Sequence, residues 1–81
     1  MKVEYTPRSI DALDGLPALV RRAFYKQLTF LVADMRHRSL RVKKYGGIDG
    51  LWQARVNRDW RFYFRIIDDV YLIINIIPHP K

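Results

Sequence analysis

The stretch from Leu51 to His79, LWQARVNRDWRFYFRIIDDVYLIINIIPH, limits the possible fold more than any other part of the chain. It alternates. Trp52, Ala54 and Val56 share one parity, and Gln53, Arg55 and Asn57 share the other. After an expected turn at Asn57-Arg58-Asp59, Trp60, Phe62, Phe64 and Ile66 fall on one side, opposite Arg61, Tyr63, Arg65 and Ile67. A period of two built from β-branched and aromatic residues is the signal of strands. Asp68 and Asp69 interrupt it, and a third apolar run from Val70 to Ile77 follows. Connections this short join antiparallel neighbours, so the stretch predicts a three-stranded meander with one apolar face. The opposite face would present Arg55, Arg61, Tyr63 and Arg65. Trp52 and Trp60 have the core parity.

The preceding residues supply what covers the apolar face. Lys2-Val3-Glu4-Tyr5 alternates and is expected to add a strand at the sheet's edge. Pro7 stops that strand and can open a helix, because its missing N–H costs nothing in a first turn. Ile10, Leu13 and Leu16 give a brief helical face that Gly15 and Pro17 end. From Pro17 the period lengthens: Val20, Phe24, Leu28, Leu31 and Met35 form a stripe, widened by Leu19, Ala23 and Phe30. Arg21, Arg22 and Lys26 fall on its solvated side. Arg36 and Arg38 are expected near its C-terminal turn, where cations suit the helix dipole. His37 is read as local structure there. Arg41-Val42-Lys43-Lys44-Tyr45 is a basic run, and Gly46-Gly47-Ile48-Asp49-Gly50 after it reads as a loop. These glycines lack the lysine and hydroxyl residue of a Walker sequence.

Eighty-one residues make one domain, 1–81, of α+β class. There is no cysteine, which removes disulfides, thiolate nucleophiles and cysteine-held zinc, and fits a cytoplasmic protein. Two histidines far apart make a poor metal site, and no cofactor is expected. No apolar run is long enough for a membrane span, and acids interrupt the start before any signal-peptide core. The net charge of +7 points to a polyanionic partner, either nucleic acid or an acidic protein. Residues two apart on a strand lie ~6.6 Å apart, so Arg61, Tyr63 and Arg65 are expected to form a ladder along a phosphodiester backbone. Lys43, Lys44 and Tyr45 would approach from the loop, and His79 from the chain's end. The acids Asp49, Asp59, Asp68 and Asp69 sit at expected turns, so a conventional carboxylate mechanism has little to draw on.

The order of a short strand, two helices, a basic loop ending in glycine, GLWQARVNRDWRFYFRI and a last strand leading to His79 resembles the RelE/ParE superfamily of bacterial type II toxin–antitoxin toxins. The resemblance covers nearly the whole chain. Its specific part is the Gly-x-Trp-x-x-Arg-Val run followed, after a turn, by an aromatic-Arg pair. It implies an N-terminal strand and two helices packed on a mainly antiparallel, four-stranded sheet. It also implies an antitoxin partner and one of two targets: messenger RNA, often cut on the ribosome without a metal, or DNA gyrase, poisoned without cleavage. Carried over by position, Arg61 would contact the scissile phosphate, Arg55 would be the basic residue of the preceding strand, and His79 the basic position past the last strand. Lys43 and Lys44 resemble the family's loop lysines. Two positions depart: Pro80 and Lys81 stand where a tyrosine is often found, and Gln53 where some ribosome-dependent members have lysine.

For RNA, the implied chemistry is attack of a 2′-hydroxyl on the adjacent phosphate to leave a 2′,3′-cyclic phosphate. Arg61, helped by Arg55 or Arg65, would stabilise the developing charge. His79 would act as general acid. Lys43 or Lys44 is the candidate base. Tyr63 and Tyr45 are candidates to stack on bases.

Overall fold

The computed structural model describes residues 1–79. Pro80 and Lys81, singled out above as a departure from the family, lie outside the described residues. The elements run β1 (Lys2–Tyr5), α1 (Pro7–Asp14), α2 (Ala18–Ala33), a 3-10 turn at Arg38–Leu40, β2 (Lys43–Lys44), β3 (Trp52–Arg55), β4 (Trp60–Ile67) and β5 (Val70–Pro78). The strands form one sheet of five in the order β1-β5-β4-β3-β2. β1 lies parallel to β5, and every other pair is antiparallel. The sheet therefore has five strands where four were expected. Lys43 and Lys44, read as loop, pair with Gln53 and Trp52 to make the extra edge strand. Two residues are too few to leave a periodic signal.

The helices lie over one face because their apolar stripes match the sheet's. Val20, Phe24, Leu28 and Leu31 from α2 join Ala54, Val56, Phe62, Phe64, Tyr71, Ile73 and Ile76 in one core. Phe24 meets Phe62 edge to face at 5.2 Å. Trp52 and Trp60 have the expected parity but are only half-buried. The stripe is narrower than its pattern suggested: Leu19 is 75% exposed, and Ile10 and Ile66 also face out.

Two expectations for the helices are corrected. α2 stops at Ala33, two residues short of Met35, with Asp34 as its extended C-cap. Arg36 and Arg38 thus belong to the following turn, not to the helix dipole. Arg21 is not a solvated cation. Its guanidinium donates to the carbonyls of Leu13, Asp14 and Leu16, closing the C-terminal end of α1. The start of α1 is as expected, with Pro7 in the first turn and Thr6 Oγ accepting from the Ser9 N–H.

The β4–β5 register slips between Tyr63 and Phe64: Tyr63 pairs with Asn75, but Phe64 pairs with Ile73. Ile74 is the extra residue of this bulge. Its carbonyl, freed from the ladder, accepts from the Thr6 hydroxyl at 3.1 Å, which ties the α1 cap to the sheet. The slip lets β5 keep apolar residues on the core side at both ends, Ile73 and Tyr71 before it and Ile76 after it. Among the described residues, no helix is long and apolar enough to cross a membrane.

Candidate functional site

The face away from the helices has two unlike ends. At one end Arg55 and Arg61 stand directly opposite each other on β3 and β4. Like charges opposite one another destabilise a strand pair, so this placement is not explained by sheet stability. The Asn57-Arg58-Asp59 turn holds Arg61 in place. Asn57 Oδ1 accepts from the Asp59 and Trp60 N–H groups at 2.9 and 3.0 Å, which tightens the turn. Arg61 Nη1 then donates to the carbonyls of Asn57 at 2.7 Å and Trp60 at 2.9 Å. These acceptors are neutral, so the charge remains available to an anion. Burial first, then the fields of Arg55 and Arg41, hold the Arg61 guanidinium below its usual pKa.

His79 comes to the same end. Arg61 pairs with Ile77 and Trp60 with Pro78. The His79 N–H donates to the Asp59 carbonyl at 2.7 Å, extending the ladder by one more pair. Alternation gives His79 the parity of Arg61. The residue is exposed, one pair further along the face.

Toward the middle, the expected ladder is broken. Tyr63 has the outward parity but is 7% exposed, because Tyr45 packs on it edge to face at 5.1 Å. Its hydroxyl donates to Gln53 Oε1 at 3.3 Å, and Gln53 is buried too. Burial, then Tyr45, pushes the Tyr63 phenol up in pKa, so it stays protonated and is no proton acceptor. Arg65 is tied to a loop. Its Nη1 donates to the Asp49 carbonyl at 2.9 Å, latching the Gly46–Gly50 loop over the face. Tyr63 offers no free surface to a base; Arg65, like Arg61, donates to a neutral carbonyl and keeps its charge, and Tyr45, 39% exposed, keeps part of its ring open.

The two lysines part company. Lys43 pairs with Gln53 and shares the arginine face, whereas Lys44 pairs with Trp52 and turns to the other. Lys44 Nζ lies 5.8 Å from the centre of the Trp52 ring, a cation–π contact. His37 has a structural place: it stacks on Phe30 at 3.9 Å and accepts at Nδ1 from the Ser39 N–H at 3.2 Å.

Two contributors were missed in the sequence. Gln27 is 6% exposed on α2, and its amide donates to the carbonyls of Arg55 at 2.8 Å and Ser39 at 3.1 Å. It fixes the backbone of Arg55 from behind the sheet. A glutamine inside the apolar stripe, between Phe24 and Leu28, was the available signal. Arg41 was assigned to the basic run as a whole. Its left-handed backbone, φ 48° and ψ 46°, lies outside β2, so strand alternation does not fix its face.

No protein-family model matches the chain, and no curated protein sequence matches it either. Solved structures do. The archaeal RelE–RelB complex from Pyrococcus horikoshii is 26% identical, with a TM-score of 0.75 over 95% of this chain and 92% of that one. The YoeB/ParE toxin from Agrobacterium tumefaciens is 17% identical but fits at a TM-score of 0.84, covering 99% of this chain and 100% of its own. In the intact E. coli RelBE toxin–antitoxin complex, the matching chain is 17% identical, with a TM-score of 0.77 and coverage of 99% and 98%. Shared over essentially the full length of both partners, this sheet and its helix pair give the chain the fold of the RelE and YoeB/ParE toxin structures.

Proposed function

We propose that the protein is an endoribonuclease toxin that cuts messenger RNA by 2′-hydroxyl attack, with the Arg55–Arg61 end of the open face as its site. One observation carries this reading: two arginines paired across β3 and β4, with the Arg61 guanidinium fixed by bonds to neutral carbonyls. The net charge of +7 and the likeness to RelE structures support it. The 2′-oxygen bonds to phosphorus, the P–O5′ bond breaks, and the products are a 2′,3′-cyclic phosphate and a 5′-hydroxyl. Arg61 and Arg55 stabilise the charge gathering on the non-bridging oxygens, and fixed cations of this kind are the strongest lever such a site has on the barrier. His79 gives its proton to the departing 5′-oxygen. Lys43, the one of the lysine pair on this face, is the candidate acceptor for the 2′-hydroxyl proton. An antitoxin is the proposed protein partner, an acidic-aliphatic segment that folds on binding and neutralises the charge excess. Action on messages, on the ribosome or off it, places the protein in the cytoplasm.

A second reading has its own observation. Lys43 stands on β2, two strands and ~10 Å of backbone from Arg61, so a base beside the arginine pair depends on a long flexible stem. A toxin that binds without cutting, such as a gyrase poison, needs no base. Controlled expression with transcript-end mapping separates the two. New transcript ends that vanish in Arg61→Ala and His79→Ala support cleavage at this site. Gyrase-dependent DNA breaks with intact messages would replace it with the second reading.

A further inference from the structure

α2 is too short for the sheet beneath it. The helix stops at Ala33, while β4 carries the core parity of Phe62 and Phe64 on to Ile66. Trp52, opposite Phe64 on β3, has the same parity. Both residues therefore stand on the helix side of the sheet past the helix's end, with Trp52 half-buried and Ile66 38% exposed. Met35, from the turn after α2, and Val42 join them around a cleft of about 620 Å³. By parity this cleft lies on the face opposite to Arg55 and Arg61, so it is not part of the site proposed above.

Its rim has one sign. Arg36, Arg38 and Arg41 line it, all three exposed, and among the described residues no acid does. Lys44 adds a fourth cation, its Nζ 5.8 Å from the centre of the Trp52 ring. Such a rim draws an anionic partner, and the floor decides which kind. Nucleic-acid bases bind by stacking on open aromatic faces. Here Trp52 already carries Lys44, and His37 is stacked on Phe30 at 3.9 Å. The rest of the floor is Met35, Val42 and Ile66. Aliphatic side chains on one face of a helix fit such a floor, and a methionine adapts to them. Carboxylates flanking those side chains would meet the arginines.

We propose that this cleft docks an acidic amphipathic helix of a protein partner, with its apolar side chains on Met35, Val42, Trp52 and Ile66 and its carboxylates at the arginine rim. The inference deepens the reading of an acidic-aliphatic partner segment and rests on it. It also separates holding the partner from blocking the cut, because the cleft and the arginine pair are on opposite faces.

The test is binding of a designed peptide of about 15 residues, leucines at helical spacing and glutamates elsewhere, in about 0.15 M salt to screen unspecific attraction. Calorimetry gives the affinity, and Trp60→Phe leaves Trp52 as the only tryptophan to report the place. The peptide should bind and shift the Trp52 emission. Ile66→Glu, which sets a carboxylate on the floor, should weaken it by at least about tenfold. Arg38→Ala combined with Arg41→Gly should weaken it about tenfold; glycine takes the left-handed backbone of Arg41, φ 48°, without strain. Arg22→Ala, which removes an exposed charge from α2, should change nothing. Melting curves confirm that each variant is folded. If Arg55→Ala and Arg61→Ala weaken the peptide and the cleft variants do not, the partner docks on the open face and only this inference falls. If a 2′-O-methyl RNA oligonucleotide shifts the Trp52 emission and displaces the peptide, the cleft belongs to nucleic acid and the inference falls as well. No binding of the peptide at all would remove the acidic-aliphatic partner with it.

Discussion

Arg61 and Arg65 lie on the same strand and have the same parity, yet the protein uses them differently. Arg61 rests on the carbonyls of its own turn, faces Arg55 across the ladder and lies near the end of the chain at His79. Arg65 donates one bond, from Nη1 to the Asp49 carbonyl, and pins a loop. Between them the Tyr45–Tyr63–Gln53 cluster seals the surface. One end of the face thus pairs two arginines beside His79, and at the other a single arginine holds a loop. Strand parity fixes which face a side chain takes. What it then meets depends on loops that parity does not describe.

The largest effect that would sharpen this contrast is on chemistry at the Arg61 end. Arg61→Ala should slow message cleavage by about 100-fold or more, the usual loss for one donor aimed at developing charge. Its melting curve should shift little, since relief of repulsion with Arg55 offsets the lost turn bonds. Arg55→Ala should fall between, at roughly tenfold in rate.

At the other end the effects should be on stability. Gly50 has φ +75°, and an added Cβ would lie 3.0 Å from Arg65 Nη1. Gly50→Ala should therefore cost ~1 kcal/mol or more in urea unfolding, with little effect on the cleavage rate. Arg65→Ala, which removes one bond from a charged donor to an exposed carbonyl, should cost about 1 kcal/mol and also spare activity. A large rate loss in Arg65→Ala would break the distinction between the two ends.

The smallest effect concerns the seal. The Tyr63 phenol is pushed up in the folded protein, so the unfolded chain releases this proton first as pH rises. Its contribution to stability is complete below the ordinary tyrosine value near ~10 and is lost as pH climbs through the raised folded value. Tyr63→Phe should flatten that alkaline decline in urea midpoints, whereas a decline of unchanged steepness would assign it to Tyr5 or Tyr71, which are raised as well.

The same contrast explains what could be read in advance. The meander, the helix pair and the core parity of Phe62 and Phe64 were legible because burial imposes a period that the sequence must carry. The Arg55–Arg61 juxtaposition followed from that period and a short turn. β2 was not legible, since two residues hold no period. The end of α2 was misplaced because Met35 continues the apolar spacing after the helix has stopped, and packs on the core from the turn. The closure over Tyr63 was hidden for another reason. It depends on a glycine loop folding back on the sheet, and Tyr45 in the sequence has nothing to mark Tyr63 as its partner.

The most direct test of the claim that the Arg55–Arg61 end is a cutting site is single-turnover cleavage of message on translating ribosomes, parent against Arg61→Ala, both confirmed folded. The account predicts 2′,3′-cyclic phosphate ends from the parent and a rate at least about 100-fold lower from the variant. Equal rates from the two folded proteins would contradict it.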